Sequence, residues 1–366
     1  MIRPNSGARS AAARRRWPGA ALRAGCALWA ACALWPATAV ASPAATGAAA
    51  PVAAAAPAAL PASRIAFVLN SAAASISEID IDSGREIRRL PVLREPHHMA
   101  LSPDGRSLVV GDTAGNALFF LDPLTGLMQK RVTISDPYQL SFSPNGRLLT
   151  VAGLARNQVD IYDAATLALL HRVPARSMPS HINYAPDSAT VYVSLQDSGR
   201  LLAIDTASGA VRWDSRVGST PAGVLWHNGQ ILVADMGTNY VAVVDPASGR
   251  VVREVHMADG PHNLFAAPSR HLLYATCRVS GIIEQLDWNS LQVVHSYRVA
   301  GGPDDIVFGP HDTLWATLRW RQHVAVIDRV SGEERFIPTG RSPHGIWLNT
   351  SLPPRRISML ARQKLG

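Results

Sequence analysis

The feature that most constrains this chain is a turn. Asp245-Pro-Ala-Ser-Gly249 lies between the apolar runs Tyr240 to Val244 and Val251 to Val255, and it recurs. Its counterparts are Asp80 with Ser83-Gly84, Asp122 with Thr125-Gly126, Asp163 with Thr166-Leu167, Asp205 with Ser208-Gly209, Asp287 with Ser290-Leu291 and Asp328 with Ser331-Gly332. An Asp side chain can accept from backbone N–H groups two or three residues on, and Gly takes the left-handed conformation that a tight hairpin needs. The aspartates recur about every 41 residues, a period that predicts one repeat architecture rather than several unrelated domains.

One full unit, from Pro96, reads as an inner run Met99 to Leu101, a turn Ser102-Pro-Asp-Gly105 and a second run Leu108 to Val110. A loop from Asp112 to Asn116, a third run Ala117 to Leu121, the Asp122 turn and a fourth run Gln129 to Thr133 complete it. Four such antiparallel strands make a propeller blade. Six units begin at Pro96, Pro137, Pro179, Pro221, Pro261 and Pro303. The seventh is split, with Ser342 to Leu348 as its inner strand and Ile65 to Leu69, Ser75 to Ile79 and Glu86 to Pro91 as the other three. Pairing the two ends would close the ring and remove exposed sheet edges. The expected fold is therefore all-β, a seven-bladed β-propeller over residues 64–350.

Outside the ring, residues 1–41 read as an export signal, with Arg14, Arg15, Arg16 and Arg23 ahead of the apolar run Cys26 to Trp35 and a small-residue site Ala39-Val40-Ala41. The run is too short for a permanent span, so no transmembrane segment is expected after signal removal and the mature protein is expected to be periplasmic or secreted. Arg14-Arg15-Arg16-Trp17 resembles a twin-arginine signal, but Pro18 follows, and general secretory export is the preferred reading. Residues 42–63 form an Ala/Pro-rich linker and residues 351–366 a basic tail. The six arginines up to Arg23 leave with the signal and no acid does, so a formal charge of +8 falls to near +2. Nucleic-acid binding thereby loses its main support. Only Cys277 remains after cleavage, which excludes an intramolecular disulfide.

Units such as Ile231-Leu-Val-Ala-Asp-Met-Gly-Thr-Asn-Tyr-Val-Ala-Val-Val-Asp-Pro-Ala-Ser-Gly-Arg-Val-Val252, and Pro96-His-His-Met-Ala-Leu-Ser-Pro-Asp-Gly105, resemble the YVTN-type repeats of YncE-like bacterial propellers. They are also similar to the propeller that holds haem d1 in nitrite reductases. The resemblance spans nearly all of the mature chain and implies the fold. It does not fix the function, because such propellers host binding proteins, lactonases and redox-cofactor enzymes.

Strand direction puts the Ser-Pro-Asp-Gly and Asp turns at one end of every blade and the Pro-His segments at the other. Aligning the units gives two rings at the mouth of the central channel. After the proline come His97, Tyr138, Ser180, Ala222, His262, Asp304 and His344; one position on come His98, Gln139, His181, Gly223, Asn263, Asp305 and Gly345. Imidazoles and carboxylates converging there could bind a divalent metal such as copper or zinc, provide axial ligands to a haem d1-like tetrapyrrole, or act as acid and base. Each histidine could equally hydrogen-bond a neighbouring blade's backbone. The metal set expected from this alignment is His98, His181, His262 and His344.

Loops on the same face add Arg156, Arg278, Arg319 and Arg321, with Asp235, Met236, Cys277 and Trp320 nearby. Guanidinium groups above imidazoles favour an anionic ligand bearing carboxylate or phosphate, and His97, Tyr138 and Asp304 join them as expected ligand-binding residues. Ordinary salt bridging is the alternative. Cys277 with Met236 could complete a copper site or simply fill the core. The chain lacks Cys-x-x-Cys-His, His-Glu-x-x-His, Gly-x-Ser-x-Gly and a phosphate loop. Asp80-Ile-Asp-Ser-Gly84 is another hairpin turn rather than a calcium loop.

These readings lead to a periplasmic propeller, accessory or non-catalytic, that binds a small anionic ligand or a metal-containing cofactor in a His/Arg funnel. An enzyme using the same funnel, either a lactonase-type hydrolase or a metal- or haem d1-dependent oxidoreductase, is the first alternative. A scaffold docking a periplasmic protein partner is the second.

Overall fold

The computed structural model describes residues 64–350; the export-signal, linker and tail readings lie outside the described residues. Within them, seven four-stranded antiparallel sheets form a seven-bladed propeller. Blade 1 is the split one: Pro343–Leu348 pairs with Ile65–Asn70, which continues through Ser75–Asp80 to Arg85–Pro91. Blades 2 to 7 follow in chain order, with inner strands Pro96–Leu101, Gln139–Phe142, Pro179–Tyr184, Pro221–His227, Pro261–Ala267 and Pro303–Phe308. No helix among the described residues is long and apolar enough to cross a membrane.

The turns form as their sequences dictate. Asp245 Oδ2 accepts from the Ser248 N–H at 2.9 Å, and the Gly249 N–H donates to the Asp245 carbonyl at 2.8 Å with Gly249 at φ +70°. In the two copies that lack the glycine, Leu167 and Leu291 both take φ +59°, a left-handed backbone that costs a branched side chain energy. Leu291 is buried and Leu167 packs against the core, so apolar burial offsets that cost.

The core sits between blades. The second and third strands are buried on both faces, whereas outer strands such as Met128–Thr133 face solvent. In the second strand of blade 5, Ile231 and Val233 pack toward blade 4, while Leu232 and Ala234 pack toward blade 6. Each blade–blade interface among the described residues holds such a cluster. Because apolar burial is completed between the blades, the axis is left to polar side chains.

Candidate functional site at the channel mouth

A bulge at the start of the inner strands delivers those side chains. In blade 2, Pro96 pairs with Asp112 but Met99 with Val110, so the inner strand carries one more residue than its partner. The same slip occurs between Pro179 and Ile182, Pro221 and Val224, Pro261 and Asn263, Pro303 and Ile306, and in blade 1 opposite Val68 and Asn70. Strict alternation would send one of two consecutive residues away from the axis. The bulge re-aims it, and both His97 and His98 come within 4.5 Å, ring centre to ring centre, of His344.

The rings meet across the channel as well as around it. His98 of blade 2 lies 5.3 Å from His181 of blade 4, and His181 lies 5.1 Å from His262 of blade 6. Each contact skips a blade, so these side chains converge on the axis. Tyr138 lies 4.6 Å from His97, ring centre to ring centre, with the two planes tilted by 38°. All five histidines are at most 5 % exposed, and Asp304 is fully buried.

Two groupings emerge. In the first, Asp304 is the hub: Arg278 Nη2 donates to its Oδ1, His262 Nδ1 lies 2.8 Å from that oxygen, and Arg319 Nη1 and His344 Nε2 each stand 3.5 Å from Oδ2. Arg278 Nη2 also reaches His262 Nε2 at 2.7 Å. Burial, the largest single influence on Asp304, would raise its carboxyl, but Arg278, His344 and His262 together hold it well below the usual carboxylate range. The adjacent Asp305 accepts from Asn263 Nδ2 at 2.8 Å and is pushed up to about 7, by burial first and then by the Asp304 charge.

The second grouping is His97, His98 and His344, whose ligand atoms lie within 4.8 Å of one another. Each imidazole has a carboxylate at one nitrogen. His97 Nε2 donates to Glu95 Oε1 at 3.0 Å, His98 Nδ1 lies 3.8 Å from Asp305 Oδ2, and His344 Nε2 lies 3.5 Å from Asp304. The opposite nitrogens, His97 Nδ1, His98 Nε2 and His344 Nδ1, are buried with no hydrogen-bond partner among the described residues, and at 3.5 Å from Asp304 the His344 Nε2 makes no hydrogen bond either. Burial is the main cause lowering the pKa of all three rings, well below the ordinary value for His98 and His344. They are therefore neutral near pH 7 and offer lone pairs.

The remaining expected residues are distributed as follows. His181 Nδ1 meets Ser180 Oγ at 3.1 Å, and burial lowers its pKa well below the ordinary value; burial followed by Arg278 brings His262 down to about 4. Burial pushes the Tyr138 hydroxyl up to about 12. Arg278 and Arg319 are equivalent, their N–H groups donating to Gly260 and Gly302 carbonyls at 2.8 and 2.9 Å. Arg156 and Arg321 are exposed: Arg156 is tied by its N–H to Asp136 at 2.7 Å, and Arg321 borders an outer groove with Phe336. Asp235 caps backbone N–H groups of Ser219, Thr220 and Gly237. Cys277 donates to Glu284 at 3.7 Å, and Trp320 is 60 % exposed over Gly302. Glu95 escaped the sequence reading because it precedes the repeated proline; Asp112, which accepts from its N–H at 2.8 Å, fixes it at the mouth.

The sequence pattern of the YNCE-like beta-propeller family matches residues 21–354. No curated protein matches the chain. Among solved structures, a protein of unknown function from Desulfotomaculum acetoxidans is 12 % identical and superposes at a TM-score of 0.68 over 80 % of this chain and all of that one. The dihydro-haem d1 dehydrogenase NirN is 16 % identical, at a TM-score of 0.59 over 77 % of this chain and 74 % of that one. Virginiamycin B lyase from Staphylococcus aureus is 16 % identical, at a TM-score of 0.58 over 69 % and 90 %. What these proteins share with the chain is the propeller.

Proposed function

We propose that this chain, which belongs to the YncE-like β-propeller family, is an exported metal-binding propeller that holds one divalent transition-metal ion, zinc or copper, through His97, His98 and His344. One observation carries the reading. Three buried imidazoles bring ligand atoms within 4.8 Å of one another, each with a carboxylate 3.0 to 3.8 Å from one nitrogen and, among the described residues, no hydrogen-bond partner on the other. Carboxylate–histidine–metal arrangements orient metal ligands in this way, and a buried nitrogen without a partner is otherwise costly. Among the converging histidines, His262 is the weakest candidate ligand because the Arg278 guanidinium occupies its Nε2 side and repels a cation. A bare ion fits better than a tetrapyrrole, since rings 4.5 to 6.3 Å apart fill the axis where a macrocycle would lie.

An ion held by these three imidazoles would supply Lewis acidity and would lower the pKa of a water bound to it. The Asp304/Asp305 pair, one carboxyl held ionised and the other pushed up to about 7, favours a second, hydrolytic reading, because such divergence separates an acid from a base. Elemental analysis of the purified chain tests the main reading. About one zinc or copper per chain is expected, lost in a His97→Ala/His344→Ala variant that keeps its strand content. A wild-type protein that neither carries nor takes up either ion at that ratio refutes it.

A further inference from the structure

Resting on that metal reading, we infer that the open side of the tri-histidine cluster takes a small oxyanion, a carboxylate or phosphate, held between the metal and Arg319. Arg319 is the guanidinium whose charge bears on His97, His98 and His344 alike. Its Nη1 is buried without a hydrogen-bond partner among the described residues, 3.5 Å from Asp304 Oδ2, while its side chain remains 23 % exposed. Arg278 differs in that its Nη2, at the end of the fork, is already engaged by Asp304 and His262, which leaves only its Nε, nearer the backbone, buried without a partner among the described residues.

Charge balance points the same way. Without metal, Arg278 and Arg319 both lie against Asp304, and Glu95, which holds His97, supplies the second negative charge that balances them. Coordinating histidines are neutral, so a divalent ion leaves a surplus of two positive charges, or one with Asp305 ionised. Surplus charge is costly at a site as buried as this one. An oxyanion cancels it, gives the metal the oxygen ligand that zinc accepts, and offers a planar or tetrahedral face to the guanidinium fork.

The test uses the full chain loaded with cobalt(II), whose visible spectrum reports its coordination, titrated separately with sodium acetate and with phosphate. A saturable spectral change is expected with one or both anions, and the anion saturating at lower concentration identifies the chemistry. Arg319→Gln should keep the cobalt but weaken anion binding about tenfold, the loss expected for one charge-assisted hydrogen bond, and Arg319→Lys should fall between. Cobalt uptake with a spectrum that neither anion moves overturns the inference and leaves the metal reading standing. Unchanged anion affinity in a cobalt-loaded Arg319→Gln protein overturns the role of Arg319, and failure to take up cobalt overturns both.

Discussion

Replacing Asp304 with Asn is the sharpest test of the electrostatic reading. The substitution preserves volume, so no cavity term enters. It removes the only carboxylate within ion-pair distance of Arg278 among the described residues, and it sets an amide with donors of its own among donors. Removing one partner of a buried ion pair costs about 3–5 kcal/mol, because the other charge is left uncompensated. Arg278 and Arg319 keep 17 % and 23 % exposure and can draw water from the mouth, which places the expected loss at the lower end, about 3 kcal/mol. For a domain of this size each kcal/mol lowers Tm by roughly 2–4 °C, so a drop of about 6–12 °C is expected for metal-free protein at pH 7. Adding Arg278→Met removes the stranded charge and should recover part of the loss, giving a coupling of about 1–3 kcal/mol in a double-mutant cycle. The reasoning fails if Asp304→Asn costs less than about 1 kcal/mol, the value of an exposed pair, or if the two substitutions simply add.

Metal-free protein should lose stability steeply as pH falls below about 6.5, measured by urea denaturation from pH 7.5 to 4.5. His97, His98, His181, His262 and His344 all have lowered folded pKa values, His262 to about 4, so in this window the unfolded chain binds more protons and each ring contributes up to about 1.4 kcal/mol per pH unit. Asp305, raised to about 7, acts oppositely between its unfolded value near 4 and 7; one carboxyl against five imidazoles does not reverse the slope, and a flat profile would contradict the buried neutral cluster. Gly223→Ala should destabilise by about 1–3 kcal/mol, since an added Cβ would stand 2.7 Å from Asn263 Cα and 2.6 Å from its Oδ1. A Tm within 1 °C of wild type would show that blades 5 and 6 can part there.

The blades were legible because their punctuation is chemical. Asp with Ser and Gly forms a turn whatever surrounds it, and seven copies at one period fixed strand order, the split blade and the face bearing Pro-His. The same alignment found the side chains that reach the axis, including Asp304 and all five histidines, but not how they group. His97 and His344 are 247 residues apart in sequence, and only ring closure through Ile65–Asn70 brings them to 4.5 Å. Nor does alternation foretell the bulge, since a proline followed by two polar residues reads identically in a regular strand. Arg156 and Arg321 show the opposite limit: repeat position placed their loops correctly, yet both side chains are exposed, because nothing in a loop's spacing fixes its rotamers. The bulge explains why this chemistry sits at the axis at all. With apolar burial satisfied between blades, an extra residue at the inner-strand start of six blades changes the aim of two side chains without disturbing any blade–blade core, so the mouth can vary in ligand set while the ring that carries it stays the same.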